Sequence, residues 1–216
     1  MFAPALAGFV YWGTSVAERV MVFVDYQNAY RVARDLYHDA WDPAHAGQFH
    51  PGGLGRLLVR RDRFPRTPAG VRIYRGLPSS QRDPRSFGAA RAQIAAWSGD
   101  QGVTAVSHPI RYPSDWPMSK AEEKGIDVSI AIVFLRGAMK GWYDVGIIMS
   151  LDTDLKPALA AVAEDFSHLR VEVAAWAKYG VRTRRLGFPG AKMWCHWIDE
   201  DGYRAVQDTT SYVGGA

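Results

Sequence analysis

Four aspartates stand beside apolar segments of the sequence, where their carboxylates could share one site. Asp25 directly follows the run VMVFV, and a buried strand rarely ends in an unpaired acid without a reason. Asp152 and Asp154 follow a second apolar run, and Asp127 begins a third. Four carboxylates at one edge cannot all be ionised unless a cation neutralises them, and oxygen-only ligands select Mg²⁺ or Mn²⁺ over zinc. Such an ion commonly binds substrate phosphate, which suits hydrolysis of a phosphodiester.

Each of these polar residues also has a purely structural interpretation. Asn28 could cap the first helix, and either Asp152 or Asp154 could cap a helix that starts at Leu155. Asp127 could be a solvated acid that complements a helix dipole. The residues alone leave these alternatives open. A purely structural origin for the whole group would, however, require all of these interpretations to be correct at the same sheet edge.

Motifs for several other chemistries are absent from the sequence. It contains no phosphate-binding loop of the form GxxxxGK[ST], no GxGxxG after the first strand, no GxSxG and no HExxH. Cys195 lies between Trp194 and His196, but adjacent residues seldom face each other, so we interpret it as a packed cysteine.

Apolar runs and helical spacing predict the elements that would position the aspartates. The predicted strands are 20–24, 70–75, 102–108, 144–150 and 169–176. The predicted helices are 28–37, 54–61, 87–97 and 155–166. A loop rich in proline is predicted over 109–119.

The segment 127–135 is β-branched and continuously apolar, so propensity alone favours a strand. We predict a buried helix instead, because a parallel crossover to the next strand needs about a dozen residues. The result is an α/β fold, a Rossmann-like three-layer arrangement of about five mainly parallel strands with helices on both faces. Ligands of such sheets bind outside the carboxyl ends of the strands, which is where the aspartates are expected.

Composition fits one globular domain with a mildly basic surface. The chain has 216 residues and a formal net charge of +4. Ten arginines and only two acids lie between Arg56 and Arg91, which suits a polyanionic partner but could also reflect coding bias. Arg75 is the last residue of the second predicted strand, so we expect it at the same edge as Asp25, in contact with phosphate.

The remaining bulk features concern location and domain layout. No apolar stretch reaches 18 residues, so no membrane partner is expected, and a single cysteine fits a reducing compartment such as the cytoplasm.

The apolar start lacks preceding basic residues, so we predict a flexible extension over 1–15 rather than a secretory signal. Residues 16–180 form the predicted domain, and 181–216 a basic, aromatic extension packed on or beside it.

Three segments, in order, carry a resemblance to a known family. They are VFVD-YQN with Asp25 and Asn28, KGIDV with Lys124 and Asp127, and YDVGIIMSLDTDLKP, which contains Ser150, Asp152 and Asp154. The chain resembles the NYN domain family, a branch of the PIN-like metal-dependent ribonucleases, over about residues 20–178. The resemblance implies a PIN-like fold and Mg²⁺- or Mn²⁺-dependent hydrolysis of RNA that leaves a 5′-phosphate.

Residue roles follow from the same resemblance. Asp25, Asp127, Asp152 and Asp154 would form the acidic, metal-holding site. Asn28 and Ser150 would support metal or phosphate binding, with Lys124 beside them. The RNA backbone would be held by the arginines of 56–91 and by a second basic cluster, formed by Arg182, Arg184, Arg185 and Lys192. Trp194, Trp197 and Tyr203 could stack bases or close the core.

Two positions depart from the family pattern. Many relatives carry an aspartate where this chain has Val133, and a glycine where it has Leu151. An RNA-binding regulatory module with a degenerate, inactive site is therefore the alternative to a nuclease. A phosphatase of small phosphoesters is disfavoured, since its usual second aspartate is missing after Asp25. A homo-oligomer or a regulatory protein partner stays open.

Overall fold

A single six-stranded parallel sheet organises the chain. The computed structural model describes residues 17–61, 65–188, 190 and 192–213, so the extension predicted over 1–15 lies outside the described residues. The strands are β1 Glu18–Asp25, β2 Arg66–Leu77, β3 Val103–Pro109, β4 Val145–Met149, β5 Arg170–Trp176 and β6 Cys195–Ile198. Their order across the sheet is β3-β2-β1-β4-β5-β6, and every neighbouring pair is parallel.

Helices cover both faces of this sheet. They are α1 Tyr26–Tyr37, α2 Pro51–Arg60, α3 Pro84–Ser98, α4 Ile126–Met139, α5 Lys156–Asp165 and α6 Glu200–Val206. One core cluster lies between the sheet and α1, α2, α3 and α6, and a second lies between the sheet and α4 and α5. The predicted three-layer α/β architecture is confirmed. No helix in the described part of the chain combines the length and hydrophobicity that a membrane span needs.

The central strand β1 is buried on both sides, as its continuous apolar sequence predicts. Val20, Val22 and Val24 enter the first core cluster, while Met21 and Phe23 enter the second. Alternation of side chains along a strand requires this division when both faces are covered. The strand is therefore packed against core side chains on both faces from Val20 to Val24.

Helix α4 confirms the crossover interpretation of segment 127–135. Ile126, Ile130 and Phe134 lie one helical turn apart and pack into the second core cluster. Val128 and Ile132 are more than half exposed on the outer face, which is why the sequence looks apolar throughout. Gly125 precedes the helix with φ 75°, a conformation that glycine adopts without strain.

The sixth strand and α6 come from the segment after Gly180, for which the sequence suggested no elements. Cys195–Ile198 pairs with β5 and extends the sheet at one edge. Tyr203 of α6 is fully buried and stacks on Tyr37 of α1, so it closes the core. Trp194 and Trp197 are instead 64% and 40% exposed.

A buried charge network ties β6 to the rest of the sheet. Arg66 donates two hydrogen bonds to the carboxylate of Glu172, at 2.9 and 2.7 Å, and Nε2 of His196 lies 2.7 Å from the same carboxylate. Burial opposes ionisation of Glu172, but the hydrogen bonds from His196 and Arg66 outweigh it and lower its pKa to about 2. The network joins β2, β5 and β6.

The free energy of unfolding should therefore fall as the pH drops from about 4.5 to about 2. In that window the unfolded chain binds a proton at Glu172 that the folded chain does not, because the pKa moves from 4.5 to about 2 on folding. The loss should be on the order of 3 kcal/mol, at roughly 1.4 kcal/mol per pKa unit. Urea unfolding at pH 6, 4 and 3 measures it.

Glu172→Gln should remove this pH dependence and cost about 3–5 kcal/mol at neutral pH, because the buried Arg66 loses its bidentate carboxylate. Asp144→Asn is the control, since Asp144 pairs with Arg19 at 2.9 Å on the surface and should contribute under about 1 kcal/mol. Equal losses in the two variants would contradict a dominant role for the buried network.

Candidate functional site

The strand order places two polar residues side by side at the carboxyl end of the sheet. The chain runs from β1 outward through β2 and β3, then returns to start β4 on the other side of β1. Val24 pairs with Met149, so Asp25 and Ser150 leave the sheet as neighbours at this reversal point. In open parallel sheets, the crevice at such a point is the usual ligand site.

Asp25 is buried there and accepts hydrogen bonds from two donors. It is the N-cap of α1, with Oδ1 accepting from the backbone N–H of Asn28 at 3.1 Å. Its Oδ2 accepts from the Ser150 hydroxyl at 3.2 Å, and the side chain is almost entirely shielded from solvent. The structural role that the sequence suggested for Asn28 therefore belongs to Asp25.

Asn28 and Ser150 fix the loop after β4 instead. Asn28 Oδ1 accepts from the backbone N–H of Leu151 at 2.9 Å. Ser150 Oγ accepts from the backbone N–H of Asp152 at 3.0 Å, and Asp152 in turn caps a short 3-10 turn, Thr153–Leu155, by accepting from the N–H of Asp154. The loop that carries both aspartates is thus tied to the β1–α1 junction.

Burial and neighbouring charges perturb the ionisation of Asp25. Its pKa is raised to about 6, chiefly by burial. The charges of Glu123 and Asp152 raise it further, while the hydrogen bonds from Asn28 and Ser150 oppose the shift. Asp25 is therefore a carboxylate whose charge the surrounding protein leaves only partly compensated.

Glu123 is a site residue that the sequence motifs missed. It accepts a hydrogen bond from the backbone N–H of Gly76 at the end of β2, and a Cβ at Gly76 would collide with its carboxylate. Burial raises the pKa of Glu123, and the Gly76 hydrogen bond and the charges of Arg75 and Arg31 counteract this. Its only sequence signal is its place in the acidic run before Lys124-Gly125.

Arg75 lies inside β2, which continues two residues beyond it, and is packed rather than freely exposed. Its guanidinium lies 5.2 Å from the ring centre of Tyr26 and 5.8 Å from that of Trp97, and it donates to the side-chain oxygen of Gln93. Burial lowers its pKa, and the negative charge of Glu123 opposes that shift. Substrate binding by Arg75 stays a prediction.

A cleft of about 560 Å³ opens beside Glu123 and Arg75. Basic side chains line it together with the acids; they are Arg31, Lys120 and Lys124. Lys124, predicted beside the site, is exposed and pairs with Glu122 at 3.2 Å. The cleft therefore combines the half-buried carboxylate of Glu123 and the exposed one of Glu122 with exposed cations, an arrangement that suits a metal ion and a phosphate.

The other two predicted aspartates lie at the same end of the sheet. Asp127 stands in the first turn of α4, and Asp154 in the 3-10 turn, two elements that pack against each other. Asp127 is half-buried and Asp154 is exposed. The convergence of all four aspartates on one ion stays a prediction. Val133, where many relatives carry a further acid, packs against the second core cluster.

The donor chemistry of this end of the sheet fits a hard divalent cation. Asp25, Asp152 and Glu123 carry oxygen donors, and the charges of Asp152 and Glu123 act on Asp25. The raised pKa of Asp25 indicates that positive charge there would be favourable. In the described residues, however, no three acidic, histidine or cysteine side chains are grouped closely enough to hold an ion. Binding would therefore draw the Asp152 or Glu123 carboxylate closer to Asp25.

One family model matches most of the chain. The NYN domain model matches residues 19–181, a range that contains all three motif segments. No curated protein matches the chain. A crystal structure of a protein of unknown function from Vibrio parahaemolyticus RIMD 2210633 has a TM-score of 0.48 and 18% identity, covering 76% of this chain and 84% of that one.

In the metal-free protein, Asp25→Asn should leave the free energy of unfolding unchanged or raise it. At pH 8 it removes a poorly compensated charge, a gain of up to about 3 kcal/mol at roughly 1.4 kcal/mol per pKa unit. Because the folded-state pKa of about 6 exceeds the unfolded value of 3.8, the wild type gains stability as the pH falls through this window, and the difference should vanish near pH 4. Urea unfolding in EDTA measures both.

Asp25→Ala is the matched comparison, because it also removes the charge but loses the helix cap, at a cost of about 1 kcal/mol. The asparagine keeps an acceptor for the Asn28 N–H. If Asn and Ala destabilise the protein equally at pH 8, the carboxylate is a structural group and not a repelled one.

Proposed function

The chain belongs to the NYN domain family, within the PIN-like nuclease superfamily, and from that premise we propose that it is a metal-dependent endoribonuclease. It would hydrolyse RNA phosphodiester bonds and leave a 5′-phosphate. The observation that carries the proposal is the buried Asp25 at the reversal point of the sheet, with its charge repelled by Glu123 and Asp152. A bound cation would neutralise the charge of such an acid and could also bind a phosphate.

Asp25, Asp152 and Glu123 would hold a Mg²⁺ or Mn²⁺ ion, with Asp127 and Asp154 at the rim. Such an ion, when bound, supplies positive charge to the scissile phosphate and lowers the pKa of water for attack. Glu123 and Asp152 each have one carboxylate oxygen fixed by a backbone hydrogen bond, from the N–H of Gly76 and of Asp154, and the other oxygen would face the ion.

The remaining residues would orient the substrate. Asn28 holds Leu151 N–H, and Ser150 holds Asp152 N–H, so both keep the acidic loop in place beside Asp25. Arg31 and Lys124 line the cleft and are exposed, so they can neutralise phosphate oxygens. Arg75 contributes a fixed positive charge at the back of the cleft.

The alternative is an RNA-binding regulatory module with a degenerate site. The absence of a ready group of three metal ligands among the described residues favours it, as does Val133 in place of an acid. The two functions differ in one property, because a nuclease of this kind must bind the cation and a regulatory module need not.

Thermal unfolding with and without Mn²⁺ therefore separates the two functions. A metal-binding wild type should be stabilised by about 2.7 kcal/mol when Mn²⁺ is at 100 times its dissociation constant, and Asp25→Asn should lose this gain. Cleavage of a labelled single-stranded RNA should fall about a hundredfold or more in Asp25→Asn and Glu123→Gln. Asp35→Asn, an exposed acid on the same helix α1, should behave as wild type.

The two readouts give distinct results. Stabilisation by Mn²⁺ together with cleavage that depends on Asp25 supports the nuclease. RNA binding without either supports the regulatory module and overturns the proposed catalysis.

The role of the cleft cations is tested by the salt dependence of RNA binding, measured with Asp25→Asn as background to prevent cleavage. Arg31→Ala should lower the slope of log affinity against log salt by about 0.7, the value for one lost phosphate contact on a single strand. The weakening should be similar for RNAs of different sequence, since phosphate contacts carry no sequence information.

Arg136→Ala serves as the control in that experiment. Arg136 is also an exposed helical arginine, but it lies in the last turn of α4, at the opposite end of the sheet. An unchanged slope for Arg31→Ala, or an equal change for Arg136→Ala, would show that the cleft does not hold the RNA backbone.

A further inference from the structure

A second cavity, of about 450 Å³, adjoins the acidic cleft on the far side of Arg75. Its walls come from the loop before α2, from the start of α3, and from the C-terminal residues Ser211, Tyr212 and Val213. Its volume lies within the range of small-molecule sites. None of the residues of the three sequence motifs lines it, so the proposed catalysis does not account for it.

The floor of this cavity is a rigid polar network. Gln93 is only 2% exposed, and its Nε2 donates to the Tyr26 hydroxyl at 2.9 Å and to the Gln48 side-chain oxygen at 3.0 Å. Its Oε1 accepts from Arg75. Every hydrogen-bonding group of the Gln93 amide is thereby committed, so Gln93 holds Arg75 and Gln48 in place.

Arg75 connects the two cavities, because its side chain lines both. Its Nε donates to the Gly76 carbonyl, and one Nη1 hydrogen bond goes to Gln93. Among the described residues, its Nη2 group makes no hydrogen bond. A cation held in this way can face an anion that lies between the cavities without a change of conformation.

The outer wall adds a second cation and an aromatic ring. Arg85 and Ser86 stand at the exposed start of α3. Across from them, the Tyr212 hydroxyl donates to Asp208 at 2.9 Å, and Asp208 also accepts from the backbone N–H of Thr210. Asp208 thus ties the C-terminal segment down, and this keeps the Tyr212 ring at the cavity.

We propose that this cavity binds a single nucleotide of the RNA, next to the nucleotide whose phosphate is cleaved. The base would contact the Tyr212 ring and the polar groups of Gln48 and Ser86, and its phosphate would pair with Arg75 and Arg85. This deepens the proposed ribonuclease function and rests on it for the identity of the polymer. The nucleotide itself can be tested without any cleavage.

Calorimetric titration of the full chain with AMP in EDTA tests the site, with adenosine and inorganic phosphate as separate probes. AMP should bind more tightly than either fragment, because the base and the phosphate both contribute. Arg85→Ala should weaken AMP binding about tenfold, a typical loss for a hydrogen bond to a charged group. Tyr212→Ala should weaken AMP and adenosine, but leave inorganic phosphate unaffected.

Arg91→Ala is the matched control, since Arg91 is an exposed arginine of the same helix that does not line the cavity. Thermal unfolding of each variant checks that the fold is intact. Equal losses for Arg85→Ala and Arg91→Ala, or AMP binding no tighter than that of phosphate, would overturn the nucleotide site.

The same titrations distinguish the two proposals. If AMP binds as expected while RNA is not cleaved, the nucleotide site stands and the nuclease function fails. If RNA is cleaved through Asp25 while AMP does not bind and Arg85→Ala binds RNA normally, the nuclease stands and the nucleotide site fails.

Discussion

The burial of Asp25 at the end of a central strand is the constraint from which the site follows. β1 has a strand on either side and a helical layer on each face, so its last residue emerges in the middle of the sheet. A carboxylate there loses most of its hydration, and two hydrogen bonds recover only part of that loss. The part of the hydration energy that is not recovered raises the pKa of Asp25, and the charges of Glu123 and Asp152 raise this pKa further. The protein thus keeps a charge that its own groups do not neutralise.

The same constraint explains the positions of the neighbouring residues. Ser150 reaches Asp25 because β4 lies next to β1 at the reversal of strand order, and Glu123 reaches the same edge because Gly76 has no side chain to obstruct it. Arg75 stays at this edge as a half-buried cation because two aromatic rings and Gln93 replace part of the water around it. Positive and negative charges are therefore both held in fixed positions, side by side, at the carboxyl end of the sheet.

Local sequence signals were sufficient for most of the fold and for the position of Asp25 at the end of β1, but not for contacts between distant segments. The β-branched runs predicted five strands, and chain connectivity predicted α4 against propensity. Strand β6 has only four residues, CHWI, with no clear pattern, and it is held by the long-range pairing of His196 with Glu172. Glu123 was missed for a similar reason, since its partner Gly76 is 47 residues away. The sequence predicted β2 to end at Arg75, but the strand continues to Leu77, and the packing of Arg75 against Tyr26 and Trp97 joins segments too far apart in sequence to be predicted.

Buried carboxylates at two places in the sheet differ in whether a cation is bound to them. Near the start of β5, Glu172 pairs with Arg66 and His196, so its pKa falls and its ionisation contributes to folding stability. At the carboxyl end, Asp25 accepts hydrogen bonds but pairs with no cation among the described residues, so burial raises its pKa and ionisation opposes folding. A carboxylate that already pairs with cations is stabilised little by a further cation. An unpaired carboxylate is stabilised by the full electrostatic interaction with a bound cation. This difference in compensation, more than the number of acidic residues, separates the stabilising charges of this domain from those that the proposed metal site would use.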